Sequence, residues 1–341
     1  MQGRGHKNVP IFIPHMGCPH CCVFCDQRTI SGHTTFEVEA VEAQIEAALR
    51  TIPQGYKNEI AYFGGSFTAI GRSLMIRLLD VAERFVREGR VSGIRFSTRP
   101  DAVGEDVLDL LSSYTVSAIE LGLQSMDDEV LLRCKRGHTA KQAEDACRRI
   151  VARGYPLVGQ MMLGLPGSTS ESERNTAERI CALGASAARV YPTVVFEATA
   201  LAVMMRNGQY VPLSLEEAVE RAADVSEIFL NHGVEILRVG LCASEGLSSE
   251  AAIGGAYHPA MGELAYGALF YRRMSALLET SGQEWAGKTP AFLVPRGKIS
   301  QAIGQHRANV ERLKDTFGLS CVKVYESDSL EGTQVLLKDE Q

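Results

Sequence analysis

The chain has 341 residues, 45% of them hydrophobic and 22% charged, with a formal net charge of −6 at pH 7. That is about two domains' worth of chain and ample for a sizeable core. The composition excludes a disordered, collagen-like or disulfide-stapled miniprotein, and the acidic balance excludes a whole-protein basic field for nucleic acid.

Residues 1–15 lack the apolar run of a secretory signal. The uncharged stretches 8–25 and 154–170 are interrupted by prolines, the first also by histidines and the second by glycines, so neither reads as a membrane span. The expectation is a cytoplasmic protein with no membrane partner. Its nine cysteines are then not expected to pair as disulfides.

Short apolar runs alternate with helix-period runs, the pattern of βα units on a parallel sheet. Strands are expected near 9–14, 60–63, 93–97, 117–121, 157–163 and 188–195. Helices are expected near 36–50, 74–88, 105–111, 140–153 and 170–183. Six strands joined this way suit a partial barrel or a doubly wound sheet equally well. Beyond 195 the alternation loosens. A helix over 214–231 opens with Ser214 and Glu217, a capping-box pattern, followed by a strand near 234–239, the Gly-rich segment 254–259 and a helix over 263–279. The polar stretch 280–289 reads as a linker, and 290–341 as a small separate unit.

Cys18, Cys21, Cys22 and Cys25 fall within eight residues, in the loop leaving the first strand, whereas the other five cysteines are scattered. Such a cluster in a reducing compartment points to metal. A zinc knuckle would need Cys21 or His20 as a fourth ligand, because no second Cys-x2-Cys occurs downstream. The other reading is three thiolates holding an iron–sulfur cluster that keeps one coordination position open.

The Cys18-x3-Cys22-x-Phe24-Cys25 core resembles that of the radical S-adenosylmethionine (SAM) superfamily. Its surroundings resemble the Elongator-catalytic-subunit-like branch: Ala61-Tyr-Phe-Gly64-Gly65-Ser66-Phe, Ser97-Thr-Arg-Pro-Asp101, Glu120-Leu-Gly-Leu-Gln124-Ser, Arg136-Gly-His-Thr139 and Met162-Leu-Gly-Leu-Pro-Gly167. The resemblance implies an α/β fold, a partial (βα)6 radical-SAM barrel with chemistry at the C-terminal ends of its strands. It implies a 4Fe–4S cluster on Cys18, Cys22 and Cys25, with SAM on the unique iron, and an electron entering the sulfonium to give a 5′-deoxyadenosyl radical. An external one-electron donor such as flavodoxin or ferredoxin would supply that electron. Cys21 is expected to be a spectator. Cofactor contacts are expected from Phe24, Gly64, Gly65, Ser66, Ser97, Gln124, Arg136 and Gln160, with Arg136 on the SAM carboxylate. The branch's acetyltransferase domain is not expected in the 52 residues after the linker, which are too few for that fold.

On the substrate side, Tyr257, His258 and Cys242 are candidates for acid–base or hydrogen-donating roles. Residues 291–323 carry a net +4 within the acidic chain. Their order of strand, short helix, turn, helix and strand resembles a KH-type α+β unit, with Lys298, Gly304, His306, Arg307 and Arg312 as RNA contacts. Arg307 stands where the GxxG signature has its second glycine. The expected organisation is therefore a core barrel over 1–200, a barrel extension with substrate-side elements over 201–280 and a KH-like unit over 290–341. The expected activity is radical modification of a tRNA or rRNA nucleotide. The alternatives are the same chemistry on a porphyrin or acyl thioester, or a non-catalytic zinc and RNA-binding protein.

Overall fold

The computed structural model describes residues 4–18, 22–31, 36–53, 55–241 and 251–338. A seven-stranded sheet, parallel throughout, forms the body in the order β1 (Arg4–Phe12), β2 (Tyr56–Phe63), β3 (Ile94–Thr98), β4 (Val116–Gln124), β5 (Leu157–Leu163), β6 (Ala187–Pro192) and β8 (Glu235–Val239). Strands added in chain order through helical crossovers curl the sheet into an open half-barrel. Between β1 and β5 the connections are α1 (Gln27–Ser31), α2 (Val41–Thr51), α3 (Arg72–Arg87), α4 (Glu105–Leu111), α5 (Asp128–Arg133) and α6 (Ala140–Ala152). The later ones are α7 (Ser170–Ala182), α8 (Ala200–Arg206) and α9 (Leu215–Asn231).

Capping chemistry sets several of these helix starts. Thr139, Thr169 and Ser214 each accept from the N3 amide, and the N3 side chain returns the bond. The expected helix over 36–50 begins only at Val41, behind a 3-10 turn, and Phe36 and Val38 pack against the core from ahead of it. One side of the sheet buries Ile60, Tyr62, Phe96, Ile119, Leu121 and Val190 against the helices, and Tyr62 Oη donates to the Leu78 carbonyl in α3 at 2.7 Å.

The opposite, inner side is polar over much of its height. At the strands' N-terminal ends Ala118, Val158 and Ala187 form a small apolar cluster. Beyond it Arg95 bridges Glu59 (3.5 Å) and Glu120 (3.1 Å), and Arg189 Nε donates to Glu120 at 2.8 Å. Charges buried in such a chain stabilise little, but removing one partner strands the others.

The expected partial barrel is present with a seventh strand, since β8 pairs with β6 and lengthens the sheet. The expected strand over 188–195 is two strands. The chain leaves β6 after Pro192, Thr193 binds the Leu163 carbonyl through both N–H and Oγ, and β7 (Val194–Phe196) pairs antiparallel with β9 (Ala252–Gly255).

α10 (Met261–Thr280) then joins two cores. Met261 and Ala265 pack into the barrel's, while Phe270, Met274 and Leu278 pack into that of the C-terminal unit. That unit comprises β10 (Ala291–Pro295), α11 (Ile299–Ile303), α12 (Ala308–Phe317), β11 (Lys323–Ser327) and β12 (Leu336–Leu337), with strand order β11-β10-β12. The segment 280–289 is not a free linker. Trp285 is buried in this core and its Nε1 donates to the Leu278 carbonyl and Ser281 Oγ.

Candidate active site

The loop after β1 lies flat on the loop after β2. Ile13 N donates to Phe63 O at 2.8 Å, His15 N to Gly64 O at 2.9 Å, and Ser66 N to Met16 O at 2.8 Å. Two glycines make that approach possible. A Cβ on Gly65 would stand 2.4 Å from Met16 O, and one on Gly17, where φ is +71°, 2.3 Å from Ser66 O. At Gly65 the side-chain direction is thus taken by the carbonyl of Met16. Gly64, at φ +90°, has only ordinary contacts.

This platform carries the cysteines. Cys18 is exposed, with Sγ 3.6 Å from the Oγ of buried Ser66. Cys22 is half-buried and its Sγ accepts from Arg136 Nη1 at 3.2 Å. Cys25, also half-buried, closes a turn on Cys22 O at 3.1 Å. Burial, then the neighbouring Cys22 and Cys18, push the Cys25 thiol up to about 12 against the opposing pull of Gln27 and Arg136. Val23 N donates to Cys134 O and Leu201 N to Val23 O, tying the loop to the chain after α5 and to α8. Cys134, buried near Cys22, is a further thiol raised to about 12 by burial first and then by Cys22. His20 and Cys21 lie outside the described residues. Among the described residues no three Cys, His, Asp or Glu side chains surround one ion-sized point.

Above the charged interior, at the C-terminal ends of β4 and β5, three polar side chains converge over Gly122. A Cβ there would meet Gln124 Nε2 at 3.0 Å, Arg136 Nη2 at 3.3 Å and Gln160 Oε1 at 3.6 Å. Gln124 and Gln160 exchange amide hydrogen bonds of 2.9 and 3.3 Å, and Gln124 is held at φ +68° where β4 bulges against β5. Ser97 sits half-buried on β3, in register with Glu120.

Sequence reasoning missed three residues here. Arg99, 3% exposed, pairs with Asp101 (2.9 and 3.0 Å) and donates to the Arg136 carbonyl. His138 is buried beside them and driven down to about 4 by burial, then by Arg136 and Arg99. All three lie in motifs that carried the resemblance, but nothing in a lone sequence marks a charged residue as buried.

His138 gives a pH prediction. Its folded pKa lies below the ordinary 6.5, so its contribution is full above pH 6.5 and is lost as pH falls towards 4. Between pH 7.5 and 5 the wild type should lose about 2 kcal/mol more than His138→Gln in urea unfolding. Parallel losses in the two proteins would refute this.

The remaining expected residues are placed as follows. Phe24 is buried in an apolar cluster with Val130, Leu165 and Tyr210. His258 Nδ1 accepts from Ala260 N at 3.1 Å, at the start of α10, and Tyr257 packs beside β7 and β9. Cys242 lies outside the described residues. Lys298, Gly304, His306, Arg307 and Arg312 all lie in the C-terminal unit.

An open parallel half-barrel with a three-cysteine loop on its first strand, facing a polar rim at the strands' C-terminal ends, defines a cofactor-dependent α/β enzyme class. The Radical SAM superfamily matches residues 12–180 and the Radical_SAM C-terminal domain residues 185–269, and the chain belongs to the radical SAM superfamily. An uncharacterized protein of Methanocaldococcus jannaschii is 29% identical over 66% of this chain and 71% of its own length. The same organism's tRNA uridine(34) acetyltransferase is 32% identical over 39% of this chain, which spans only 25% of that relative. The heme chaperone HemW of Bacillus subtilis is 23% identical over 72% of this chain and 65% of its own length. In fold, the chain is similar to archaeal Methanocaldococcus infernus Elp3, with TM-score 0.59 and 19% identity over 83% of this chain and 65% of that one.

The family uses a 4Fe–4S cluster and SAM, and the residues present fit both. The thiols are soft donors, next to a guanidinium that offsets their charge. Arg99 Nη1 and Arg136 Nε are buried without a partner, and the lack of a side chain at Gly122 lets Gln124, Arg136 and Gln160 gather over it. When bound, the pair supplies one-electron reductive cleavage of a sulfonium, chemistry that belongs to the cofactor. The protein's own contribution is to hold the loop flat, crowd one side of it with Val23, Phe24 and Leu201, and keep polar groups over Gly122.

Proposed function

We propose that this radical SAM enzyme modifies a nucleotide of tRNA or rRNA in the cytoplasm, with the C-terminal unit holding the RNA backbone. The observation that carries the reading is the turn between α11 and α12. Gly304 has φ +77°, and His306 and Arg307, both exposed, have φ +53° and +64°. Arg307 therefore adopts the left-handed conformation that glycine provides in a GxxG loop, so the backbone shape survives the loss of that glycine. Asn309, buried, locks the turn by donating from Nδ2 to Gly267 O (2.8 Å) and Ala302 O (3.0 Å).

The loop presents His306 and Arg307 outward, with Lys298 over the Tyr266 ring at 5.5 Å. Arg312 is more committed, stacked 4.0 Å from the Tyr271 ring and 3.9 Å from Glu220, and contributes less. The names of the tRNA uridine(34) acetyltransferases among the relatives support the same substrate class. In this reading Cys18, Cys22 and Cys25 hold the cluster, and Gln124, Gln160 and Ser97 contact SAM. A flavodoxin- or ferredoxin-class protein supplies the electron. No helix among the described residues is long and apolar enough to cross a membrane.

Comparative mass spectrometry of nucleosides from total RNA, with and without the gene, tests the reading. At least one modified nucleoside should vanish in the deletion, and indistinguishable digests would overturn it. Lys298→Glu with Arg307→Glu should weaken RNA binding about tenfold and flatten its salt dependence by about one phosphate contact per residue. Unchanged binding at low salt would remove the loop from the interface.

A further inference from the structure

The resemblance implies that Arg136 meets the SAM carboxylate, and the structure gives its guanidinium a second connection, to the cysteine loop. Nη1 donates to Cys22 Sγ at 3.2 Å and Nη2 to the Gly122 carbonyl at 2.5 Å, one N–H from each terminal nitrogen. Arg136 is 6% exposed, whereas Cys22 is half-buried. Its backbone is fixed at both polar groups, by Arg136 N to Leu131 O (3.0 Å) and by Arg99 Nη2 to Arg136 O (2.5 Å). Asp101 in turn orients Arg99 through two bonds of 2.9 and 3.0 Å. A cation is thus set on one thiolate by an ordered chain of three residues.

We propose that Arg136 is a positioning residue for Cys22 whose N–H···S bond raises the reduction potential of the cluster ligated there, with Asp101 and Arg99 fixing its geometry. A hydrogen bond to a ligating sulfur withdraws charge from it and favours the more electron-rich, reduced cluster. The bond is charge-assisted and part-buried, so it is stronger than a neutral one. Asp101 acts two bonds away and has the smaller effect.

The test is potentiometry of the cluster-loaded full chain without SAM, followed by electron paramagnetic resonance, beside a direct measurement of SAM binding. Arg136→Gln should shift the one-electron equilibrium about tenfold against reduction, which is about 59 mV more negative. Arg136→Lys keeps the charge and should recover part of that shift. Asp101→Asn should move the potential in the same direction by less. An unchanged potential with weaker SAM binding in Arg136→Gln overturns the proposal and returns Arg136 to the carboxylate. If Arg136→Gln retains no cluster, Asp101→Asn and Arg136→Lys decide, and wild-type potentials in both overturn it. None of these readouts depends on the RNA substrate.

Discussion

Alanine at Cys18, Cys22 or Cys25 is expected to lower the iron content of the purified chain at least about tenfold, since even a lost second-shell partner costs 10- to 100-fold in metal affinity. SAM cleavage under a chemical reductant should fall with it. Cys147, fully buried in the barrel core, and Cys321, exposed in the C-terminal unit, are the controls, and alanine at either should leave iron unchanged. Binding requires each thiol to shed its proton, and Cys25 is held up at about 12. Reconstitution should therefore go faster as pH rises from 7 to about 8.5. Wild-type iron in Cys18→Ala, measured anaerobically, would defeat the assignment of that ligand. Zinc in place of iron in the wild-type chain would defeat the whole reading of the loop.

Gly65→Ala should be as damaging as losing a ligand, although it removes no functional group. Its Cβ would stand 2.4 Å from Met16 O and 2.7 Å from Ile13 O, both backbone atoms that cannot rotate away. The two loops would have to separate, at about 2–4 kcal/mol in denaturant unfolding, with cluster retention falling in step. Gly17→Ala adds a left-handed φ of +71° to a similar clash and should be at least as severe. Gly64→Ala is the contrast. It meets nothing nearer than 3.6 Å and should cost only the left-handed strain, about 1–2 kcal/mol. Equal stabilities for Gly64→Ala and Gly65→Ala would show that the platform tolerates separation.

Much of the barrel is legible in the chain because period and punctuation agree along it. The expected strands at 60–63, 93–97 and 157–163 fall on β2, β3 and β5, and Ser214 with Glu217 opens α9 as its spacing implies. Short or two-faced elements are harder. α5 and α8 are under two turns long, too brief for a period to show. β9 contains Gly254 and Gly255, which read as loop because glycine disfavours strands, yet the Thr193 carbonyl passes where a Cβ on Gly255 would be. The cysteine loop is legible because three thiols at fixed spacing have few other uses. Arg99, Asp101 and His138 are not, because the burial of Arg99 and His138 comes from the meeting of the chain after β3 with that around Arg136, distant in sequence. The glycines after β2 mislead in a third way. The neighbouring loop alone requires the small size of Gly65, and Gly64 is set by its left-handed φ.

The helix shared by the two cores has a consequence for how the molecule comes apart. Phe270, Met274 and Leu278 line up on the second half of α10, and Trp285 follows them into the same cluster. Gln301 reaches back to Glu263 at 2.9 Å, and Asn309 to the Gly267 carbonyl. The C-terminal unit cannot open without uncovering an apolar stripe on a helix whose other end anchors the barrel. Packing therefore crosses the boundary that the sequence suggests near 280–289, and unfolding of the two cores is expected to be coupled through α10.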